Sequence, residues 1–390
     1  MPFAARTGFF SVSAEAPAGA IAWYEYDRAN YEPISESLTG GTVTTSTFSV
    51  SGFSGNNFRY RGGCLGENGN IYCAPRSSGN GILEIDPVNK TSQYRSPGAL
   101  ASLNSTSGNY FHGAVLLPSG NILCVPFNYD RFIEFDPVAD TATEFGPTID
   151  SAFCGSSTIK YAGGVLASNG NVWCTPTNAT TWLEYDHVNK TVSKSTFGLA
   201  DMGLSFKFFG SARSFNDDCI YCAPQDYGYV VRIQPEANVA TRSKYGQTIP
   251  QGGTNQSYGM CADKYGNVVF LQGESGVTSK RVDTEANTAF SFNLGGTSFG
   301  ACQGADGNVY SITKSYATRK YDVEANTSTT VYATTSPNRM IGITALNGNT
   351  YILPDQSSTT CLEIDTSSNI LSIDNYANVI LTPYMNPGRL

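Results

Sequence analysis

The phrase Gly69-Asn70-Ile71-Tyr72-Cys73-Ala74-Pro75, followed by Leu83-Glu84-Ile85-Asp86-Pro87, recurs along the whole chain and confines it to one small β unit, repeated. The first half returns as Gly120-Asn121-Ile122-Leu123-Cys124-Val125-Pro126 and Gly170-Asn171-Val172-Trp173-Cys174-Thr175-Pro176, then in shorter form at Gly266, Gly307 and Gly348. A fourth copy, Asp217-Asp218-Cys219-Ile220-Tyr221-Cys222-Ala223-Pro224, lacks the glycine. The second half returns at Ile133-Glu134-Phe135-Asp136, Leu183-Glu184-Tyr185-Asp186, and on to Leu362-Glu363-Ile364-Asp365. A period of about 40 to 50 residues holding several short strands predicts an all-β fold, a β-propeller of four-stranded blades.

Trp23-Tyr24-Glu25-Tyr26-Asp27 reads as an eighth copy of the second half. With the copies about 48 residues apart, eight would fill almost the entire chain. The stretch 376–383 resembles the inner strand Tyr161-Ala162-Gly163-Gly164-Val165-Leu166, with Asn378 in a glycine slot. The expectation is therefore a single domain over 1–390 with eight blades, the N- and C-terminal strands sharing a closing blade built from 8–50 and 376–383. The alternative is seven blades with an amino-terminal extension packed outside.

Asn68-Gly69, Ser119-Gly120, Asn169-Gly170 and Asp306-Gly307 are tight hairpin signals, since such turns need residues that tolerate φ > 0. If Asn68-Gly69 is a two-residue turn, Cys64 and Cys73 face each other across the strands. Gly62, Gly113, Gly163, Gly210, Gly259 and Gly300 start the innermost strands, where crowding at the axis favours bare backbone. Asp86-Pro87-Val88-Asn89-Lys90-Thr91 and its copies predict turns in which Asp bonds its own backbone. The pattern apolar-Tyr-x-x-Pro, a gap, then apolar-x-apolar-Asp-x-x-x-Asn-Thr resembles the YVTN-type and related Kelch-like propeller repeats. That resemblance implies fold more than function, because propellers host enzymes, lectins and scaffolds alike.

The net charge of -8, with 14% charged residues, argues against a nucleic-acid-binding surface. No apolar run approaches a membrane span, and the start Met1-Pro2-Phe3-Ala4-Ala5 has too short an apolar core for a signal peptide. Most of the ten cysteines occupy repeat positions; Cys73, Cys124, Cys174 and Cys222 share one slot, which predicts small buried thiols and a reducing compartment. Cys219 and Cys222 form a CxxC, but within a slot that elsewhere makes a turn and a strand.

Two histidines, His112 and His187, leave little room for a His-based triad or multi-His metal site. No nucleotide or calcium motif is present, so no cofactor and no metal are expected. Glu84, Glu134, Glu184 and Glu363 are locked to one repeat position and read as a solvated or inter-blade face rather than an acid–base pair. The segments before the inner strands form an aromatic and basic collar, which disfavours a bound cation.

Recognition is expected on the face whose loops vary. The candidate binding residues are Arg76, Tyr129, Asp130, Arg131, Asn178, Tyr227 and Tyr229 in those loops, with Arg59, Lys160 and Lys207 of the collar. Low charge together with 40 Gly and 23 Tyr resembles phage tail-fibre and capsid-surface proteins. The expectation is a non-enzymatic virion surface or tail appendage, made in the host cytoplasm. It would attach to other virion proteins or a host-surface glycan, without membrane insertion, and self-association is compatible with it. The alternatives are a cytoplasmic or extracellular carbohydrate-binding or interaction propeller, and a propeller hydrolase or lactonase.

Overall fold

The structure, a computed structural model, describes residues 43–366 apart from 51–59, 78–80, 104–107, 198, 200–201, 203–205, 215, 226–228, 238, 244–256, 274–277, 314–316, 334–338, 346 and 355–359. The repeat becomes seven antiparallel four-stranded sheets. Blade 1 is β2 (Tyr60–Leu65), β3 (Ile71–Pro75), β4 (Ile82–Asp86) and β5 (Thr91–Arg95). Blade 2 is β6 (Phe111–Leu116), β7 (Ile122–Pro126), β8 (Phe132–Asp136) and β9 (Thr141–Phe145). Blade 3 is β10 (Tyr161–Leu166), β11 (Val172–Pro176), β12 (Trp182–Asp186) and β13 (Thr191–Ser195). Blades 4 to 6 follow from inner strands β14 (Phe208–Arg213), β18 (Ser257–Ala262) and β22 (Ser298–Gln303).

The ring therefore has seven blades, and the expectation of eight is overturned. In blade 7, β26 (Arg339–Thr344), β27 (Thr350–Pro354) and β28 (Thr360–Asp365) receive their fourth strand from the other end of the chain, β1 (Thr44–Ser49). The register runs from Thr44 opposite Asp365 to Ser49 opposite Thr360. The principle of a shared closing blade holds, but the N-terminal segment gives the outermost strand rather than most of a blade. One apolar cluster then joins Tyr60, Leu65 and Ile85 of blade 1 to Ile343, Tyr351 and Cys361 of blade 7, so no gap is left for another sheet. The strands assigned to 8–27 and 376–383 lie outside the described residues.

The hairpin between β2 and β3 is not a two-residue turn. Gly66 N donates to Asn70 O at 2.8 Å and Gly69 N to Gly66 O at 3.0 Å, while Gly69 takes φ 82°. This is a three-residue loop closed by a left-handed glycine. It sets Gly63 opposite Cys73 and Cys64 opposite Tyr72, so the two cysteines are not cross-strand partners. In blade 1 the strand pair then bulges: Tyr60 pairs with Pro75 and Gly63 with Cys73, one extra residue on β2, with Gly62 at φ 89°. Backbone conformation thus requires that glycine. Crowding is the reason at Gly259, where a Cβ would stand 3.0 Å from the Gly300 Cα.

The repeat's polar residues bind one another. Asn70, Asn121, Asn171 and Asn349 donate Nδ2 to Glu84, Glu134, Glu184 and Glu363 at 2.7, 3.3, 2.8 and 2.9 Å. Glu134 also accepts Tyr185 Oη and Lys190 Nζ of blade 3 at 2.5 and 2.6 Å, so this carboxylate is an inter-blade tie. Blades 4 to 6 exchange the charges. The third strand carries Arg232, Arg281 and Lys320, and the turn supplies Asp217, Asp263 and Asp306. Where blade 4 lacks the turn glycine, Asp218 adopts φ 57° in its place. In the outer turns, Asp86 Oδ1 accepts Val88 N and Asn89 N, both at 2.9 Å, as the repeat predicted.

Candidate functional site

The second-to-third strand loops and the connections between blades emerge on one face, and between blades 2 and 3 they enclose a cleft of about 600 Å³. The loop from β7 to β8 supplies Asn128, Tyr129, Asp130 and Arg131, the end of β9 supplies Glu144, and the connection to β10 supplies Thr148, Ser157 and Thr158. The connection is shaped by a short helix, α1 (Ser151–Cys154). Asp150 caps it by accepting Phe153 N at 2.9 Å, and Gly155 ends it at φ 75°.

Tyr129 forms the aromatic wall. Its ring stands edge-on to Tyr110 at 5.8 Å and lies 5.1 Å from Phe111. Its hydroxyl donates to the Glu144 carboxylate. Burial first, then this bond and the carboxylate's charge, raise the phenol above its ordinary range, so it remains a protonated donor. Arg131 donates Nη1 to Gly146 O at 3.0 Å and holds Nε 3.9 Å from Glu144. The cleft thus combines a flat aromatic surface, one cation, the two carboxylates of Asp130 and Glu144, and the hydroxyl side chains of Thr148, Ser157 and Thr158.

Three of the expected binding residues, Tyr129, Asp130 and Arg131, come together here. Others belong to the joints between blades. Lys160 is fully buried and donates to Asp130, Ile149 O and Asn128 O at 2.5, 2.8 and 3.2 Å, while Asn128 Oδ1 accepts Ile159 N at 2.6 Å. One blade on, the motif repeats. Lys207 donates to Ala179 O and Asn178 O at 3.1 and 3.3 Å, and Asn178 Oδ1 accepts Phe206 N at 2.8 Å. The residues before these lysines, Ile159 and Phe206, sit at φ 53° and 54°. Burial lowers the Lys207 ammonium to about 8. Lys160, Lys207 and Asn178 therefore clasp neighbouring blades rather than present polar groups to solvent.

Tyr229 is half-buried against the cluster of Trp182, Phe208 and Val231. Arg76 is buried beside the inner strand of blade 2, its carbonyl accepting Tyr110 N at 2.7 Å. Arg59 and Tyr227 lie outside the described residues. Glu144, Thr148, Ser157 and Thr158 were not singled out from sequence. They are common surface residues in separate segments, and only the blade-to-blade connection draws them together.

Among the described residues, no group of three or more His, Cys, Asp or Glu side chains is placed to hold a metal ion. No helix there is long and apolar enough to cross a membrane.

No family model matches the chain, and no curated protein matches it. Solved structures do. Virginiamycin B lyase of Staphylococcus aureus superposes with a TM-score of 0.63 at 11% identity, over 83% of this chain and 99% of that one. An extracellular domain of a one-component system of B. thetaiotaomicron gives 0.60 at 11%, over 86% of this chain and 42% of that one. The WD40 propeller domain of Doa1 gives 0.58 at 9%, over 84% and 98%. An enzyme, a sensor domain and a WD40 domain share this architecture, so at these identities the likeness is one of β-propeller fold and leaves the chemistry to the site.

Proposed function

We propose that the chain is a non-enzymatic recognition propeller that binds a hydroxyl-rich ligand, a surface glycan, in the cleft between blades 2 and 3. The observation that carries this is the pairing of Tyr129 as an aromatic wall with Glu144, Arg131 and the hydroxyls of Thr148, Ser157 and Thr158 around about 600 Å³. Sugars stack apolar faces on aromatic rings and exchange hydroxyl bonds with such a rim, and that volume suits a small ligand. The low charge and the Gly- and Tyr-rich composition support a setting on the outside of a virion. The repeat pattern supports kinship with YVTN- and Kelch-like propellers. Detection of the chain in purified particles tests the setting.

Glycan-array screening followed by calorimetry tests the site. Tyr129→Phe combined with Arg131→Gln keeps the wall but removes its polar edge, and should weaken binding of the selected glycan more than tenfold. Undiminished binding would remove the cleft from consideration. A second reading, a hydrolase with Tyr129 as nucleophile and Glu144 as its base, is favoured by their hydrogen bond alone. Turnover of the bound glycan, lost in Tyr129→Phe, would establish it over simple recognition.

A further inference from the structure

The inner strands bring a second group of side chains together at the axis, on the same face as the variable loops. Arg61, His112, Ala162 and Phe209 each stand immediately before a glycine at positive φ: Gly62, Gly113, Gly163 and Gly210 at 89°, 85°, 88° and 99°. The His112 ring is edge-on to Phe209 at 4.7 Å and lies 5.3 Å from Phe127. His112 belongs to blade 2 and Phe209 to blade 4, so their contact bridges across blade 3, whose residue at this position is the small Ala162. Blades that are not neighbours meet over the central channel, and the channel mouth is where His112 sits.

His112 is 1% exposed, and neither ring nitrogen has a hydrogen-bond partner. An unsatisfied buried polar group is costly, and it calls for a partner that completes its bonds. Two guanidinium groups act on His112. Arg61 holds the equivalent position in blade 1, and Arg76 follows β3 with its carbonyl bonded at 2.7 Å to the N–H of Tyr110, two residues before His112. Burial first, then the charges of Arg61 and Arg76, hold the imidazole well below its ordinary range.

We propose that this channel mouth is a binding site for a small oxyanion, a carboxylate or a phosphate monoester, received by His112 and the guanidinium groups of Arg61 and Arg76. Guanidinium forks match the geometry of such anions, and the Phe127 and Phe209 rings exclude water, which strengthens each charged bond. The bound charge offsets the positive field on His112, so the imidazole gains a proton and donates to the anion. Its side chains are other than those that line the glycan cleft.

The chain's two histidines make the test direct. Full-length protein with 15N-labelled histidine is titrated with inorganic phosphate, and separately with acetate, at ionic strength held constant with sodium chloride. His187→Gln assigns the signals. The expected result is a saturable movement of the His112 ring nitrogens towards the imidazolium position with at least one anion, while His187 stays in place. Arg61→Gln, which alters a half-buried residue, should weaken that affinity at least tenfold with an unchanged melting temperature, and Arg76→Gln should do the same where it folds. No saturable movement with either anion, the same movement with chloride alone, or full affinity retained in Arg61→Gln would overturn the proposal.

Discussion

Glu363 is the residue on which closure of the ring can be measured. It lies on β28, is 5% exposed, and accepts Ser46 Oγ of β1 at 2.6 Å, Lys90 Nζ of blade 1 at 2.5 Å, and Asn349 Nδ2 and Tyr351 Oη of its own blade, both at 2.9 Å. Burial pushes this carboxyl up, but the bonds from Lys90, Ser46, Asn349 and Tyr351 outweigh it and bring it from 4.5 to about 2. A depression of that size corresponds to about 3 kcal/mol of folding stability. Because the folded value is the lower one, the contribution is complete above the ordinary carboxylate range and is lost as pH falls through about 2.

Glu363→Gln keeps the side chain's shape and removes the charge. Urea unfolding of wild type and variant should differ by about 3 kcal/mol at pH 7 and pH 5, and by roughly half of that at pH 3, where the carboxyl is protonated in the unfolded chain but still mostly ionised in the folded one. Lys90→Met should cost no more than about 1 kcal/mol, because the Lys90 side chain is 47% exposed and water screens the pair. A gap between wild type and Glu363→Gln that does not change with pH would refute the reasoning. So would a larger loss from Lys90→Met than from Glu363→Gln, since the clasp would then be a surface ion pair.

Further outcomes follow from the buried cysteines and from Lys207. All ten cysteines are buried and unbridged, so alkylation in denaturant without reductant should add ten labels, and a shortfall in steps of two would reveal disulfides. Native alkylation should be slow, because burial raises the thiols of Cys73, Cys124, Cys174 and Cys222. Lys207 should titrate near 8 in lysine-labelled NMR spectra, apart from exposed lysines. The folded value is the lower one for a base, so wild type should gain up to about 3 kcal/mol over Lys207→Met between pH 8 and 10.5. Titration with the exposed lysines would show that its ammonium is solvated.

Local chemistry repeated in line was legible from sequence. The Gly-Asn turns, the Asp86-type turns and the Cys73 slot each depend on residues within one blade, so a single copy states the rule and the repeats confirm it. The fixed position of the four glutamates left a solvated and an inter-blade face equally open: Glu134 and Glu363 bond across a blade joint, whereas Glu84 accepts Tyr72 and Glu184 accepts Asn171 within their own blades. Finer geometry did not follow. A turn glycine serves both a two-residue and a three-residue hairpin, and only the ladder register, with Gly63 rather than Cys64 opposite Cys73, separates them.

What the tertiary structure alone decided was everything that depends on a neighbouring blade. The number of blades is a closure condition on the whole ring, and a local phrase such as Trp23-Tyr24-Glu25-Tyr26-Asp27 carries no information about it. The short strand Thr44–Ser49 has no distinctive motif, yet it completes blade 7 because the open edge of β28 needs its hydrogen bonds. Lys160 and Lys207 look in sequence like charges offered to a ligand. The preceding blade surrounds them with carbonyl groups and turns them into clasps. The cleft beside Tyr129 arises the same way, where the connection from blade 2 to blade 3 folds back against the β7–β8 loop and the end of β9: sequence wrote the blade, and the contacts between blades determined which residues remained to meet a ligand.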